Sequence, residues 1–253
     1  MRGIGDPAMF KVFVFLVLQL FIGSTSHAKS ALIATSSNFL NPLKQLVADF
    51  EKTNPYTIEI SSGSTGRLYT QITRGAPYDV FLAADNEHPL RLVREGWGVG
   101  ESRFVYALGR LVVWNLKDGL TVDDAMVRAA QRIALARPKT APYGRAGHQF
   151  LTGRQLLKRP SLLLLQGESV SHALMFARNN SNVFALISLA QALKLSGSYW
   201  VVPSAEYSPI VQEALLLKRG EKNPAAIAFI DFLKSPVTRS KIVRLGYGLW
   251  EAH

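Results

Sequence analysis

Past residue 28 the chain alternates short apolar runs with stretches whose apolar positions recur every three or four residues. Residues 30–35 form the first run and predict a strand. Asn41-Pro42 then offers an N-cap followed by proline at the first helical position. Leu43, Leu46, Val47 and Phe50 follow at i, i+3, i+4 and i+7, which lays one apolar stripe along a helix. Asn54-Pro55 ends it, residues 57–61 predict a second strand, and Ser64 opens a second helix carrying Leu68 and Ile72. A third strand over 78–83 and a third helix over 87–95 repeat the order. Strand–helix alternation of this kind implies a mostly parallel sheet with helices on both faces.

The rhythm changes at residues 104–114, an apolar stretch longer than one ordinary strand, with Gly109 in its middle. Such a run suits a strand crossing from one lobe to another. The α/β order then restarts, with strands over 132–136, 161–166, 183–189 and 199–202 and helices over 144–158 and 170–178. Residues 210–218 are apolar again, and Asn223-Pro224 and Ser235-Pro236 each start a C-terminal helix. There is no internal sequence repeat. The pattern predicts an α/β protein of two lobes, each a mixed, mostly parallel sheet flanked by helices. Residues 29–107 plus 206–253 form the first lobe, and residues 108–205 form the second, inserted into it.

The first 28 residues stand apart. Arg2 and Lys11 precede an apolar run over 12–22, broken only by Gln19, and Ser26 and Ala28 occupy the −3 and −1 positions of a cut after Ala28. A charged region, an apolar region and a cleavage site in that order read as a signal peptide. The run is shorter than the roughly 20 residues that span a bilayer as a permanent helix. The expectation is a protein exported through a cleavable leader.

Composition narrows the function further. With 48% hydrophobic and 19% charged residues in a 253-residue chain, a sizeable core is available and disorder is not expected. The formal charge of +11 would suit an acidic partner, but the lysines and arginines are scattered rather than gathered into a stripe, which argues against nucleic acid. The absence of cysteine excludes disulfides, thiol catalysis and thiolate metal sites.

Three strand-to-helix junctions are rich in small hydroxyl and amide residues: Thr35-Ser36-Ser37-Asn38, Ser61-Ser62-Gly63-Ser64-Thr65-Gly66 and Gln166-Gly167-Glu168-Ser169-Val170-Ser171. A helix N-terminus presents unpaired N–H groups and the positive end of the macrodipole, which suits an anion. In open α/β sheets ligands bind beyond the carboxyl ends of the strands, where these junctions lie. Each junction alone is also an ordinary N-cap; three of them, spread over both lobes, point to a shared ligand. Gly63-Ser64-Thr65-Gly66-Arg67 lacks the Gly-Lys-Ser/Thr ending of a nucleotide-binding P-loop, so a small anion is the better fit. Catalysis finds little support. There is no G-x-S-x-G elbow, and His88, His148, His172 and His253 lack metal-ligand spacing. Asp79, Asp85 and Glu87 are close in sequence, but Asp85-Asn86 reads as the start of the third helix. No enzyme activity, cofactor or metal is expected.

These junctions carry a resemblance. Residues 34–40 (ATSSNFL), 61–66 (SSGSTG), 75–85 (GAPYDVFLAAD) and 141–144 (APYG), followed by 167–170 (GESV) and 207–210 (YSPI), are similar to the periplasmic molybdate-binding proteins. The likeness runs from about residue 30 to the C-terminus. It implies two α/β lobes joined by a two-crossover hinge, with a tetrahedral oxyanion, molybdate or tungstate, held between them. It also implies delivery to the permease subunits of an ABC transporter in the periplasm, by a protein expected to be monomeric. By the same resemblance Asn38, with Ser37, stands at the first helix start and Thr65 supplies a hydroxyl at the second, while Tyr143 and the backbone N–H of Val170 contribute from the other lobe. Ser188 occupies the place where one branch of the family has a ligand tyrosine. Arg137 and residues 178–182 depart from the family pattern in the second lobe. The alternatives are a binder of another tetrahedral oxyanion such as sulfate or phosphate, an anion-sensing adaptor that signals to a receptor, or an exported enzyme using the same cleft.

Overall fold

The computed structural model describes residues 30–249, and the expected leader, residues 1–28, lies outside them. Strand β1 (Ser30–Ser36) runs into a 3-10 turn, Ser37–Phe39, and helix α1 (Leu40–Thr53) follows without a break. The helix therefore begins ahead of the Asn41-Pro42 start that the sequence suggests. Pro42 falls in the first turn, where a missing N–H has no partner to lose, so the preceding turn sets the start. Strand β2 (Thr57–Gly63), α2 (Thr65–Thr73), β3 (Val80–Leu82) and α3 (Glu87–Arg94) complete the first α/β units.

The apolar run at 104–114 is two strands rather than one. Strand β4 (Phe104–Gly109) and β5 (Leu111–Asn115) meet at Arg110 and belong to different sheets. After them come α4 (Asp124–Ala129), β6 (Arg132–Ala136), α5 (Pro142–Gly153) and β7 (Leu163–Gly167). Helix α5 stops short of residue 158 because Gln155 takes a left-handed φ of 58° and a separate 3-10 turn follows. Then α6 (Val170–Arg178), β8 (Phe184–Ser188), α7 (Leu189–Ala192), β9 (Ser198–Val201) and β10 (Ile210–Leu216) lead to α8 (Pro224–Lys234) and α9 (Pro236–Arg244). The last two helices start as their sequence indicates, capped by the side chains of Asn223 and Ser235 with proline in the first turn.

The strands form two five-stranded sheets, ordered β2-β1-β3-β10-β4 and β7-β6-β8-β5-β9. In each, three parallel strands sit beside an antiparallel one that comes from across a crossover, β10 in the first sheet and β5 in the second. The two halves thus share one strand order without sharing a sequence repeat. The chain passes from the first sheet to the second at Arg110 and returns between β9 and β10. Phe50, Leu46 and Phe229 pack in a core on one face of the first sheet, and Leu68, Ile72 and Leu92 on the other. Trp114, Leu135, Phe150 and Leu186 centre the core of the second.

Candidate functional site

Register brings the junctions together. Strands β1 and β2 run in parallel with Ser36 opposite Gly63, so both end at the same level. Strand β3 lies on the other side of β1 with Leu82 opposite Thr35, which places Ala84 beside the same edge. In the second sheet Ala136 is opposite Gly167, so the turns leading to α5 and α6 also leave from one level. The two edges meet face to face: Gly66 N–H donates to the Thr140 carbonyl at 2.9 Å and the Ser171 hydroxyl to the Ser37 carbonyl at 3.2 Å.

Between them is a small pocket with a cavity volume of about 10 Å³. Ser37, Asn38 and Thr65 line it from the first sheet, Tyr143 and Val170 from the second, so all five residues singled out in the sequence line one pocket. Ser36, Ser64 and Ala84 line it as well. None of the lining side chains is charged. Ser188, by contrast, is a buried N-cap: its hydroxyl and the Gln191 side chain close a capping box at the start of α7.

The donors are mainly backbone. The 3-10 turn after Ser36, α2 after Ser64 and α5 after Ala141 all begin with no side-chain cap. Their first N–H groups have no partner within the helix, and each set of dipoles adds positive potential at the pocket. Helix α6 differs, because Ser169 caps it by accepting from the His172 N–H. Two hydroxyls add to the set. Ser36 Oγ and Thr65 Oγ1 lie 2.6 Å apart, and both accept from the Ala84 N–H, at 3.0 and 3.2 Å. One hydroxyl proton closes the contact between them, which leaves the other free to donate to a ligand. Ser36 went unselected in the sequence. It lies in a run of three hydroxyl residues, and only the strand's register decides which of them turns to the pocket.

Asn38 contributes in another way than a polar side chain at a helix start suggests. Its Nδ2 donates to Gln212 Oε1 at 2.8 Å and to Tyr247 Oη at 3.2 Å, so both amide protons are spent beneath the pocket. The backbone of Asn38 is what remains for a ligand. Tyr143 behaves similarly. Its hydroxyl is buried against Gly109, where a Cβ would approach it to 2.5 Å, and beside the Arg110 backbone N–H. Burial raises the pKa of Tyr106, Tyr143 and Tyr247, so the phenols around the pocket stay neutral.

The charged groups lie at the rim. Asp85, just ahead of α3, accepts from His88 N–H at 3.1 Å, contacts His88 Nδ1 at 2.8 Å and pairs with Arg145 of α5 at 2.8 Å across the cleft. Burial works against its charge, but His88 and Arg145 outweigh that and hold the carboxyl below its ordinary pKa. Arg67 and Glu168 form a second, exposed pair across the cleft at 3.2 Å. His148 and His172 are exposed on their helices.

The pocket's residues lie within a chain that matches known proteins along most of its length. A family model described as bacterial extracellular solute-binding protein matches residues 31–248. The molybdate-binding protein ModA of Azotobacter vinelandii is 38% identical over 235 residues, which cover 90% of this chain and 93% of that protein. ModA of Rhodobacter capsulatus is 37% identical over 236 residues, covering 92% of this chain and 93% of its own. A solved structure, the periplasmic molybdate-binding protein of Azotobacter vinelandii, superimposes with a TM-score of 0.82 at 36% identity, covering 87% of this chain and 100% of that one.

Proposed function

Since the chain belongs to the family of bacterial extracellular solute-binding proteins, we propose that it captures molybdate or tungstate between its two sheets and hands the anion to the permease of an ABC transporter. It is a binding protein and not an enzyme. The observation that carries the anion reading is the pocket itself: small, without charged lining side chains, and met by uncapped helix starts from both sheets.

A tetrahedral dianion in such a place is held without a counter-charge. Each hydrogen bond to a charged acceptor contributes about 1.5–3 kcal/mol net, and N–H groups at helix starts are already oriented toward it. The proposed ligand groups are the backbone N–H of Ser37, Asn38, Tyr143 and Val170 and the hydroxyl of Thr65. Neutral donors do not distinguish one dianion from another by charge. Selection then rests on size, because molybdate and tungstate have longer bonds to oxygen than sulfate.

The lobes of this reading are residues 29–107 plus 206–253 and residues 108–205, with hinges at Arg110 and at the return to β10. Neither lobe alone satisfies four anion oxygens, so the ligand favours the closed arrangement. The mature protein, released by a cut after Ala28, acts as a monomer. Calorimetric titration with molybdate, tungstate, sulfate and phosphate in parallel tests the function. Saturable binding of molybdate and tungstate with much weaker sulfate and phosphate is expected. Preference for sulfate or phosphate would move the protein to another oxyanion, and no binding of any would end the reading.

A further inference from the structure

Tyr247 is placed by a sequence of constraints that packing alone does not require. After α9 the chain turns through Gly246 at a φ of +99°, where a Cβ would come within 3.1 Å of the Ala190 backbone. Gly248 then exchanges backbone hydrogen bonds with Leu108 of β4, both at 2.9 Å. Between these two fixed points Tyr247 is driven under the pocket, its ring edge-on to Phe39 at 5.3 Å. A phenylalanine would fill that space equally well. The hydroxyl does something more specific: it donates to the Asn38 carbonyl at 2.9 Å and accepts from Asn38 Nδ2 at 3.2 Å.

Gln212 holds Asn38 from the other side. A bulge in β4, where Tyr106 falls between the partners of Gln212 and Glu213, sits opposite the glutamine, whose side chain is fully buried. Its Oε1 accepts from Asn38 Nδ2 at 2.8 Å and from the Tyr106 hydroxyl at 3.1 Å, while its Nε2 is buried without a partner. Burying these groups is unfavourable unless they are paired. The pairing they have converges on one residue, Asn38, whose turn forms one wall of the pocket.

We propose that Tyr247 and Gln212 are positioning residues that fix the size of the anion cavity, acting through the Asn38 side chain on the turn Ser37–Phe39. This rests on the oxyanion reading above and adds to it the source of discrimination by size. A turn clamped at both its carbonyl and its amide cannot move inward to a smaller anion, so its N–H groups suit one radius. Releasing the clamp lets the turn follow the ligand, which weakens the fitted anion and spares the smaller one.

Tyr247→Phe and Gln212→Met test this, with molybdate measured by calorimetry and sulfate by competition. Molybdate should bind roughly tenfold more weakly in each variant. Sulfate should change far less, so the ratio of the two dissociation constants falls by nearly the same factor. Tyr78→Phe is the control, since its buried hydroxyl bonds Ser61 and Gln71 away from the pocket; it should lower the melting temperature with the ratio intact. An unchanged ratio in both Tyr247→Phe and Gln212→Met overturns the positioning role while leaving the oxyanion function standing. A wild-type protein that binds no oxyanion overturns both.

Discussion

Gly144 stands in the first turn of α5, one residue past Tyr143, and its missing side chain decides how closely that helix start approaches the pocket. A Cβ there would lie 2.3 Å from the Ala136 carbonyl oxygen and 2.8 Å from its carbon. The strand cannot give way. Ala136 is paired with Gly167 at the end of β6, and the next residue, Arg137, donates to the Gly167 carbonyl at 2.7 Å. The helix must move instead, by about 0.7 Å to bring 2.3 Å up to the 3.0 Å that real contacts respect. A hydrogen bond lengthened by that much is no longer one, so the N–H groups at the start of α5 lose the anion. The loss of one charge-assisted bond is about 1.5–3 kcal/mol, or roughly ten- to a hundredfold in the dissociation constant. Overpacking itself costs about 1–3 kcal/mol, and alanine returns up to about 1 kcal/mol of helix propensity. At about 2–4 °C per kcal/mol for a protein of this size, the melting temperature should fall by several degrees. Gly153→Ala at the far end of the same helix meets nothing within 4 Å and serves as the control. Titration calorimetry with molybdate and a thermal melt of the unliganded protein give both numbers. A Gly144→Ala variant that melts several degrees lower yet binds as the wild type does would show that α5 plays no part in holding the anion.

Thr65→Ala removes a hydroxyl shared with Ser36 and the Ala84 N–H; it should weaken molybdate binding by about 1–3 kcal/mol, with Thr65→Ser close to wild type by the same titration. Tyr143→Phe should leave the dissociation constant nearly unchanged by the same titration, because the hydroxyl it removes is buried against Gly109 and beside the Arg110 backbone; a tenfold loss of affinity would place that hydroxyl on the ligand. Asp85→Asn should destabilise the unliganded protein, since it breaks the half-buried pair with Arg145 and the contact of its buried carboxylate with His88. The Asp85 pKa is lowered in the fold, so its stabilisation is present above the unfolded value of about 3.9 and is lost as pH falls through the lower folded value. Melting curves of wild type and Asp85→Asn should therefore be well separated at pH 7 and converge in strong acid, and a gap independent of pH would refute the ionic origin.

The alternation of short apolar runs and helical patterns was sufficient for the α/β class, and caps such as Asn223-Pro224 and Ser235-Pro236 for helix starts, because both depend on residues a few positions apart. The hydroxyl-rich junctions were legible for the same reason: a helix start is local, and so is its chemistry. The sequence marked residues 104–114 as the crossing between lobes but could not say that the run breaks at Arg110 into Phe104–Gly109 and Leu111–Asn115, since each half reads as the same apolar run and only its partners differ. It could not choose Ser36 from its hydroxyl neighbours, because a shift of one residue along a strand reverses every side chain. It also could not reveal what the Asn38 amide does. Its partners, Gln212 and Tyr247, lie 174 and 209 residues further along the chain. Local chemistry marked where donors for an anion could stand. Which atoms face the pocket, and what holds them there, was decided by strand register and by contacts that form only when distant segments close on one another.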